Sequence, residues 1–172
     1  EAKGVKIVDA TCPYVRKVQN IVNKYFVDNY KIIIVGDASH PEVIGVNGWC
    51  GGKAIIINDK KNIPLIEKCD KICVVAQTTI IESSFKEISD EILKQNENAE
   101  IYNTICSATE ERQNEAAQIA RGSDLMIVIG GRSSSNTKKL TEICRKHCDK
   151  VLQIETASEI DINLLKERNT VG

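Results

Sequence analysis

The amino-acid sequence predicts an α/β fold made of two similar parallel-sheet units. Short apolar runs such as residues 32–35 alternate with longer segments whose apolar residues recur at helical spacing, which is typical of strands and helices in a doubly wound sheet. The pattern occurs twice, because Cys12 and Cys106 lie 94 residues apart, as do Gly36 and Gly130. We therefore expect two copies of one unit, each with a cysteine at the same corner.

The first unit is expected to begin with a strand at residues 5–8, followed by a helix that Pro13 opens and Thr11 caps. The continuous apolar character of the next strands is typical of burial on both faces of a sheet. Thr79 and Glu82 have the spacing of a capping box. The remaining strands are expected at residues 31–36, 53–58 and 72–76, and the remaining helices from Pro41, at 62–68 and at 82–95.

The second unit repeats this order. Ser107 and Glu110 have capping-box spacing for a helix that runs to about Arg121. With a small slip after Cys148, Thr170-Val171-Gly172 corresponds roughly to Val74-Val75-Ala76. The other elements are expected to be strands at 100–102, 125–130 and 151–154, a polar loop at 132–136 and a helix at 137–147.

Composition excludes several classes of protein. The formal net charge of −1, from 23 basic and 24 acidic residues, gives no basic stripe for nucleic acid. The longest apolar runs are too short to span a membrane. Seven cysteines without other signs of secretion indicate reduced thiols and a cytoplasmic location. Core burial is the expectation for Cys50, Cys69, Cys73, Cys144 and Cys148, in preference to a zinc site with His147.

Polar residues follow the strands at the edge where a doubly wound sheet binds ligands. Cys12 and Cys106 each precede a helix, where the macrodipole favours a negative charge, and the pair is compatible with a metal centre or with paired acid–base catalysis. The loops at His40 and Ser134 also open helices, so their N–H groups and side chains are suited to phosphate or diphosphate. The candidate residues are Cys12, His40, Glu42, Thr78, Thr79, Cys106, Ser134, Ser135 and Asn136.

Five motifs resemble the 4-hydroxy-3-methylbut-2-enyl diphosphate reductases, the LytB family. They are Asp-Ala-Thr-Cys-Pro at 9–13, His-Pro-Glu-Val at 40–43, Gln-Thr-Thr at 77–79, Thr-Ile-Cys-x-Ala-Thr at 104–109 and Ser-Ser-Asn at 134–136. They occur in the family's order over essentially the whole chain, and the Trp49-Cys50 region resembles clostridial members.

This resemblance implies three α/β units in a pseudo-three-fold arrangement around a [4Fe–4S] cluster, with one cysteine from each unit. It implies that Cys12 and Cys106 are two of the cluster ligands and that the open iron binds the substrate hydroxyl. Glu42 and Thr78 would deliver the proton. The diphosphate and pocket residues would be His40, Thr79, Ser134, Ser135 and Asn136. Ferredoxin or flavodoxin would supply the electrons that yield isopentenyl and dimethylallyl diphosphates.

The resemblance also sets expectations for domain organisation. Residues 1–12 would join a missing N-terminal unit, 13–102 would form the second unit, and 103–172 would form the third unit, truncated at its C-terminus. With two of three thiolates, the chain is expected neither to hold a stable cluster nor to turn over. The two alternatives are a cofactor-independent racemase using both cysteines as acid and base, and a non-catalytic phosphate-binding module.

Overall fold

The computed structural model describes residues 4, 6, 8–63, 71–166 and 168–172. Six strands and six helices lie in these stretches, and none of the helices there is long and apolar enough to cross a membrane. The strands are Lys31–Val35 (β1), Ile55–Ile57 (β2), Ile72–Ala76 (β3), Glu100–Tyr102 (β4), Met126–Ile129 (β5) and Val151–Ile154 (β6). The helices are Pro13–Val27 (α1), Pro41–Gly48 (α2), Glu82–Gln95 (α3), Ser107–Arg121 (α4), Ser135–Arg145 (α5) and Ile162–Lys166 (α6).

The chain forms two compact units. Unit 1 comprises Glu1–Thr78 and Phe85–Thr104, and unit 2 comprises Thr79–Ser84 and Ile105–Gly172. The strand β4, which precedes Cys106, belongs to the sheet of unit 1 because it pairs with β3. The sequence-based boundaries, at residues 12 and 102, stay a prediction about the family's units.

Unit 1 contains a four-stranded parallel sheet in the order β2-β1-β3-β4. The central strands are apolar throughout, and all five residues of β3 are buried, as are Ile32–Val35 of β1. The helices α1 and α2 add Val18, Val22, Val43 and Val46 to the same core. The predicted α/β fold with strands buried on both faces is therefore confirmed in this unit.

The first strands of unit 2 repeat those of unit 1. Ile33 pairs with Ile55 in the first sheet, and Ile127, 94 residues after Ile33, pairs with Leu152 in the second. On the side of β5 away from β6, the neighbouring residue Leu125 forms a parallel bridge with Val171. Its counterpart Lys31 pairs with Ile72, so Val171 corresponds to Ile72 rather than to Val75 as the sequence comparison predicted. The predicted alignment was wrong by three residues, because the second unit contains insertions larger than the small slip that the sequence comparison allowed.

Both strand-to-helix turns depend on a glycine. A Cβ atom on Gly36 would lie 2.8 Å from Gln77 Cβ and 3.0 Å from Val43 Cγ2. A Cβ atom on Gly130 would lie 2.3 Å from Thr137 Oγ1. Val43 and Thr137 hold equivalent places in α2 and α5, so in each unit the missing side chain lets the helix pack against the end of the strand.

The predicted helix caps were wrong in three places. Cys12, not Thr11, is the N-cap of α1, because the Thr11 hydroxyl and N–H both donate to Asp9 Oδ1. Helix α3 begins at Glu82, three residues beyond Thr79, and the Glu82 N–H donates to Gln113 Oε1 at 3.3 Å. Ser107 is the first residue of α4 rather than its cap. At α1, Asp9 accepts the Thr11 hydroxyl that was expected to cap the helix. At α3, Gln113 accepts the Glu82 N–H that Thr79 was expected to accept.

Two other predicted elements fall on residues that are only partly described. The described residues of the 5–8 strand, Lys6 and Val8, lie in no regular structure, and Val8 is exposed. In the repeat, the segment 5–8 corresponds to β4, which pairs with β3. A strand needs such a neighbour as a hydrogen-bond partner for its N–H and C=O groups. Most of the 62–68 helix lies outside the described residues, and a 3-10 turn spans Lys60–Asn62.

Three tyrosines and one carboxylate lie at the end of the unit 1 sheet opposite to the turn at Gly36. Glu100 Oε2 accepts hydrogen bonds from Tyr25 at 2.5 Å and Tyr102 at 2.9 Å, and its Oε1 accepts one from Tyr30 at 3.0 Å. The Tyr25 hydroxyl also contacts that of Tyr102. The hydrogen bond from Tyr25 is the main cause that lowers the pKa of Glu100, and the same bond raises the pKa of Tyr25. This cluster ties α1 to β4 at the end of the sheet remote from the candidate site.

Candidate functional site

The two cysteines that the repeat singled out occupy the same local geometry. Cys12 (φ −52°, ψ 134°) and Cys106 (φ −69°, ψ 132°) are the N-caps of α1 and α4. The main-chain oxygens of Cys12 and Cys106 accept the N–H groups of Arg16 and Glu110, each at 3.0 Å. Neither thiol makes a capping hydrogen bond; Cys12 is exposed and Cys106 is half-buried. Because they lie in different compact units, their convergence on a shared central space stays a prediction.

The other described cysteines are buried, as predicted. Cys50, Cys73 and Cys144 have no exposed surface and Cys148 is 6% exposed. Burial raises the pKa of the Cys73 thiol to about 12, and it raises the pKa values of Cys50 and Cys144. These thiols are therefore held as core side chains. Cys69 lies outside the described residues.

Glu42 and Thr78 are in direct contact. The Thr78 N–H donates to Glu42 Oε1 at 2.7 Å, and the Thr78 hydroxyl donates to Glu42 Oε2 at 2.8 Å. Thr78 is buried at the end of β3, and Glu42 is half-buried in the first turn of α2. Each carboxylate oxygen therefore has a fixed partner, which holds the carboxylate in one orientation.

His40 is fixed by its role as the N-cap of α2. Its Nδ1 accepts the Glu42 N–H at 3.2 Å, so the neutral imidazole must carry its proton on Nε2. The ring therefore offers Nε2–H as a donor to a ligand. The unit 1 structure thus brings together three of the predicted residues, His40, Glu42 and Thr78.

The predicted loop of unit 2 is the start of a helix. Ser134 is the N-cap of α5 and its Oγ accepts the Thr137 N–H at 3.3 Å, so its own hydroxyl proton can still be donated. Ser135 and Asn136 are the first two residues of α5, not loop residues as predicted. The reason is that Ser134 supplies the cap two residues earlier than Asn136 would. Their N–H groups lie in the first turn, where a helix has no internal acceptors.

Asn136 carries a further sign of a ligand. Its Oδ1 atom is buried, and no group in the described part of the chain is hydrogen-bonded to it. A buried amide oxygen without a partner costs free energy, and because this atom is an acceptor, only a ligand group that donates a hydrogen bond would recover that cost. Thr79 is half-buried and falls in unit 2, next in sequence to Thr78 of unit 1.

The turns that follow the strands are held by side chains that the sequence patterns did not identify. The buried Gln77 side chain accepts the Asp37 N–H, and the buried Thr104 hydroxyl bonds to Ala76. Arg132, whose side chain is 68% exposed, forms an ion pair with Glu159. A polar residue directly after an all-apolar strand, as at Gln77, was the available signal. The partners themselves are distant in sequence.

The thiols suit an iron–sulfur cluster in chemistry, although they are only part of a ligand set. Each is accessible, uncommitted to its own helix cap and placed at a helix N-terminus, where a negative charge is favoured. Across the described residues no group of three or more His, Cys, Asp or Glu side chains is placed to hold a metal ion. The remaining ligands would have to come from outside this set.

Taken together, the fold and site define a class of protein: an α/β repeat protein with thiols at helix N-termini and polar, capped turns at the carboxyl ends of its strands. The family model for the LytB protein matches residues 1–172, and the chain belongs to this family.

Named relatives agree with this assignment. The 4-hydroxy-3-methylbut-2-enyl diphosphate reductase of Alkaliphilus oremlandii is 49% identical over 171 residues, covering 99% of this chain and 61% of that protein. The enzyme of the same name from Clostridium perfringens strain SM101 is 47% identical over 175 residues, covering 99% of this chain and 60% of that protein. The predicted resemblance to clostridial members is confirmed. The chain spans about three-fifths of the length of these relatives.

A solved structure has the same fold. The E-1-hydroxy-2-methyl-but-2-enyl-4-diphosphate reductase of Plasmodium falciparum superposes with a TM-score of 0.85 at 31% identity, covering 95% of this chain and 53% of that one. The two relatives and the solved structure are named as reductases, not as racemases or phosphate-binding modules.

Proposed function

We propose that this chain provides the proton-delivering and part of the diphosphate-binding machinery of a 4-hydroxy-3-methylbut-2-enyl diphosphate reductase. The reaction would break the allylic C–O bond, consume two electrons and two protons, and release water together with isopentenyl or dimethylallyl diphosphate. The observation that carries the proposal is the paired contact between Glu42 and Thr78, beside a histidine whose free ring nitrogen is a donor.

The contact with Thr78 determines which oxygen of Glu42 can carry a proton. Oε1 faces an N–H group, which can only donate, so Oε1 remains an acceptor. Oε2 faces the Thr78 hydroxyl, which can both donate and accept. A proton on Oε2 can therefore be donated to Thr78 Oγ1, and the Thr78 hydroxyl can pass its own proton to the substrate oxygen. This gives Glu42 the role of proton source and Thr78 that of relay.

The diphosphate would be bound by donors at two helix N-termini. His40 offers Nε2–H, Ser134 offers its hydroxyl, and the first-turn N–H groups of Ser135 and Asn136 point out of α5. In each unit the positive end of the helix dipole, of α2 or of α5, favours an anion at that N-terminus. Thr79 is proposed to line the pocket without a defined contact.

The redox chemistry would come from a cofactor and a partner. Cys12 and Cys106 would be two of the thiolate ligands of a [4Fe–4S] cluster, which when bound supplies the electrons and a Lewis-acid iron. A ferredoxin or a flavodoxin is the proposed electron donor. A cytoplasmic location is proposed with it, since both carriers are soluble proteins.

The test is anaerobic reconstitution of the protein in its full natural length, with iron and sulfide analysis and a reductase assay. We expect Glu42→Gln to lower kcat about 100-fold or more while iron content and KM stay close to those of the parent, since only proton delivery is removed. Glu87→Gln, a change of an exposed glutamate on α3, is the matched control and should leave turnover unaltered.

Two outcomes would contradict the proposal. A protein that is active without iron would exclude the redox mechanism. Full turnover by Glu42→Gln with an intact cluster would exclude the proton role. The 172-residue chain alone is expected to retain little iron after the same reconstitution.

A further inference from the structure

We propose that Gln77 is a positioning residue that sets the diphosphate-binding end of the His40–Glu42 segment, an inference that rests on the proposed function of His40 and Glu42. Gln77 binds Asp37, which in turn binds His40 at one end of this segment, and the adjacent Thr78 binds Glu42 at the other end. The Gln77 end would control substrate affinity, and the Thr78 end would control proton delivery.

The contacts form a closed ring. Gln77 Oε1 accepts the Asp37 N–H at 3.0 Å, and the main-chain oxygen of Asp37 accepts the His40 N–H at 3.0 Å. His40 Nδ1 accepts the Glu42 N–H, and the carboxylate of Glu42 is bound by Thr78, the neighbour of Gln77. Every link of the ring lies in unit 1, so it is a property of that unit's own fold.

The Gln77 side chain replaces a main-chain hydrogen bond that is missing from the ladder between β1 and β3. The parallel ladder between β1 and β3 ends at Val35 and Ala76, where the Val35 carbonyl accepts the Gln77 N–H at 2.9 Å. If the ladder continued, the Asp37 N–H would be donated to the main-chain carbonyl of Gln77. The side-chain carbonyl of Gln77 accepts it instead. The main chain after Gln77 can then leave the ladder, which allows Thr78 to turn both of its donors toward Glu42.

Burial makes this contact demanding. Gln77 is 1% exposed, and a Cβ atom on Gly36 would lie 2.9 Å from Gln77 Oε1. The amide therefore has little room to shift, and loss of this acceptor removes the hydrogen bond that holds the N–H of the exposed Asp37 to the end of β3. Loss of the hydrogen bond between Gln77 and Asp37 frees the Asp37–His40 turn, which positions the His40 ring. Glu42 stays held by its two bonds from Thr78.

The test compares Gln77→Met with Thr78→Val in the protein of full natural length. We expect Gln77→Met to raise KM for the diphosphate substrate, and Kd for inorganic diphosphate, about tenfold or more, with kcat changed less than about threefold. Amide hydrogen exchange at Asp37 and His40 should accelerate. Thr78→Val should show the reverse split, with kcat lowered more than KM is raised. If Gln77→Met fails to fold, Gln77→Asn serves, because it keeps the amide but retracts it by one methylene.

The matched control is Asn47→Leu. Asn47 Oδ1 accepts the Ala54 N–H at 3.0 Å, so this change also removes a carboxamide acceptor from unit 1, but at the far end of α2. Its KM and kcat should match those of the parent. Accelerated Asp37 exchange in Gln77→Met with an unchanged KM would overturn the positioning role and leave the proposed function standing. An unchanged KM in His40→Ala would instead overturn the proposed diphosphate site, and the role of Gln77 with it.

Discussion

The two cysteines share one helix-capping geometry, but the segments that lead to them are held in opposite ways. The Cys12 segment (residues 8–12) is exposed and relies on Asp9, which binds Thr11 and pairs with Arg16 at 2.7 Å. The Cys106 segment (residues 103–106) follows β4 and relies on Thr104, whose buried hydroxyl accepts the Ala76 N–H at 2.8 Å and donates to the Ala76 carbonyl at 2.6 Å.

The same contrast occurs at the two strand-to-helix turns that are proposed to bind the diphosphate. In unit 1 the turn after β1 is held by the buried amide of Gln77. In unit 2 the turn after β5 is held by Glu155, whose Oε1 accepts the Arg132 N–H at 2.6 Å, and by the ion pair between Arg132 and Glu159. The repeat therefore preserves the backbone geometry at each corner, while the side chains that hold it are charged and exposed in one copy and neutral and buried in the other.

The largest effect is expected from the buried tie at Thr104. Thr104→Val should lower the free energy of unfolding by about 2–3 kcal/mol, because both the N–H and the C=O of Ala76 lose a buried partner. Thr104→Ser keeps the hydroxyl and should cost less than about 1 kcal/mol. Urea unfolding followed by circular dichroism measures both. Equal stabilities for the two variants would mean that packing, not hydrogen bonding, holds the Cys106 segment.

The two strand-end glycines, Gly36 and Gly130, should differ in how far a second substitution restores the stability that is lost when the glycine is replaced by alanine. Gly36→Ala and Gly130→Ala should each cost about 1–3 kcal/mol of unfolding free energy by overpacking. Adding Thr137→Ala to Gly130→Ala should recover most of the loss, because Thr137 supplies all three of the nearest atoms. Adding Val43→Ala to Gly36→Ala should recover little, because Gln77 Cβ and Oε1 remain at 2.8 and 2.9 Å.

Double-mutant cycles on these pairs measure the rescue as a coupling energy. A coupling energy for Gly36 and Val43 as large as that for Gly130 and Thr137 would show that Gln77 yields easily. That result would weaken the view of Gln77 as a rigid part of the turn.

The smallest effect is expected at the exposed Cys12 segment, and it should depend on pH. The hydrogen bond from the Thr11 hydroxyl, followed by that from its N–H, lowers the pKa of Asp9. A lowered folded-state pKa adds stability above the unfolded value of about 3.9, and this is lost as pH falls through the folded value. Asp9→Asn should therefore lower Tm by no more than about 4 °C at pH 7, and the difference from the parent should shrink toward zero under acid.

Salt provides the control for this prediction. Because Asp9 and Arg16 are 59% and 49% exposed, their attraction should be screened at about 1 M salt. Thr104→Val should show no such salt dependence, since its hydrogen bonds carry no charge. A salt-dependent loss in Thr104→Val would mean that the two cysteine segments are not held by different kinds of contact.

Local patterns in the sequence were sufficient for most of the secondary structure. The predicted bounds of β3, β4, α3 and β6 are those observed, because continuous apolar runs and helical periodicity act over a few residues. The repeat located the N-cap cysteines and both capped turns, since a constant offset needs no knowledge of contacts. Family motifs, rather than spacing, singled out Glu42 and Thr78 as a pair.

The buried polar contacts were decided by tertiary structure alone. The cap of α1 was decided locally, because Asp9, two residues before Thr11, accepts its hydroxyl. Gln77 and Asp37 are 40 residues apart, and Thr104 and Ala76 are 28 apart, so only the folding of β1, β3 and β4 into one sheet brings each donor to its acceptor. The physical reason is that apolar patterning specifies which residues are buried, whereas a buried polar group needs a particular partner, and that partner exists only after the sheet has formed.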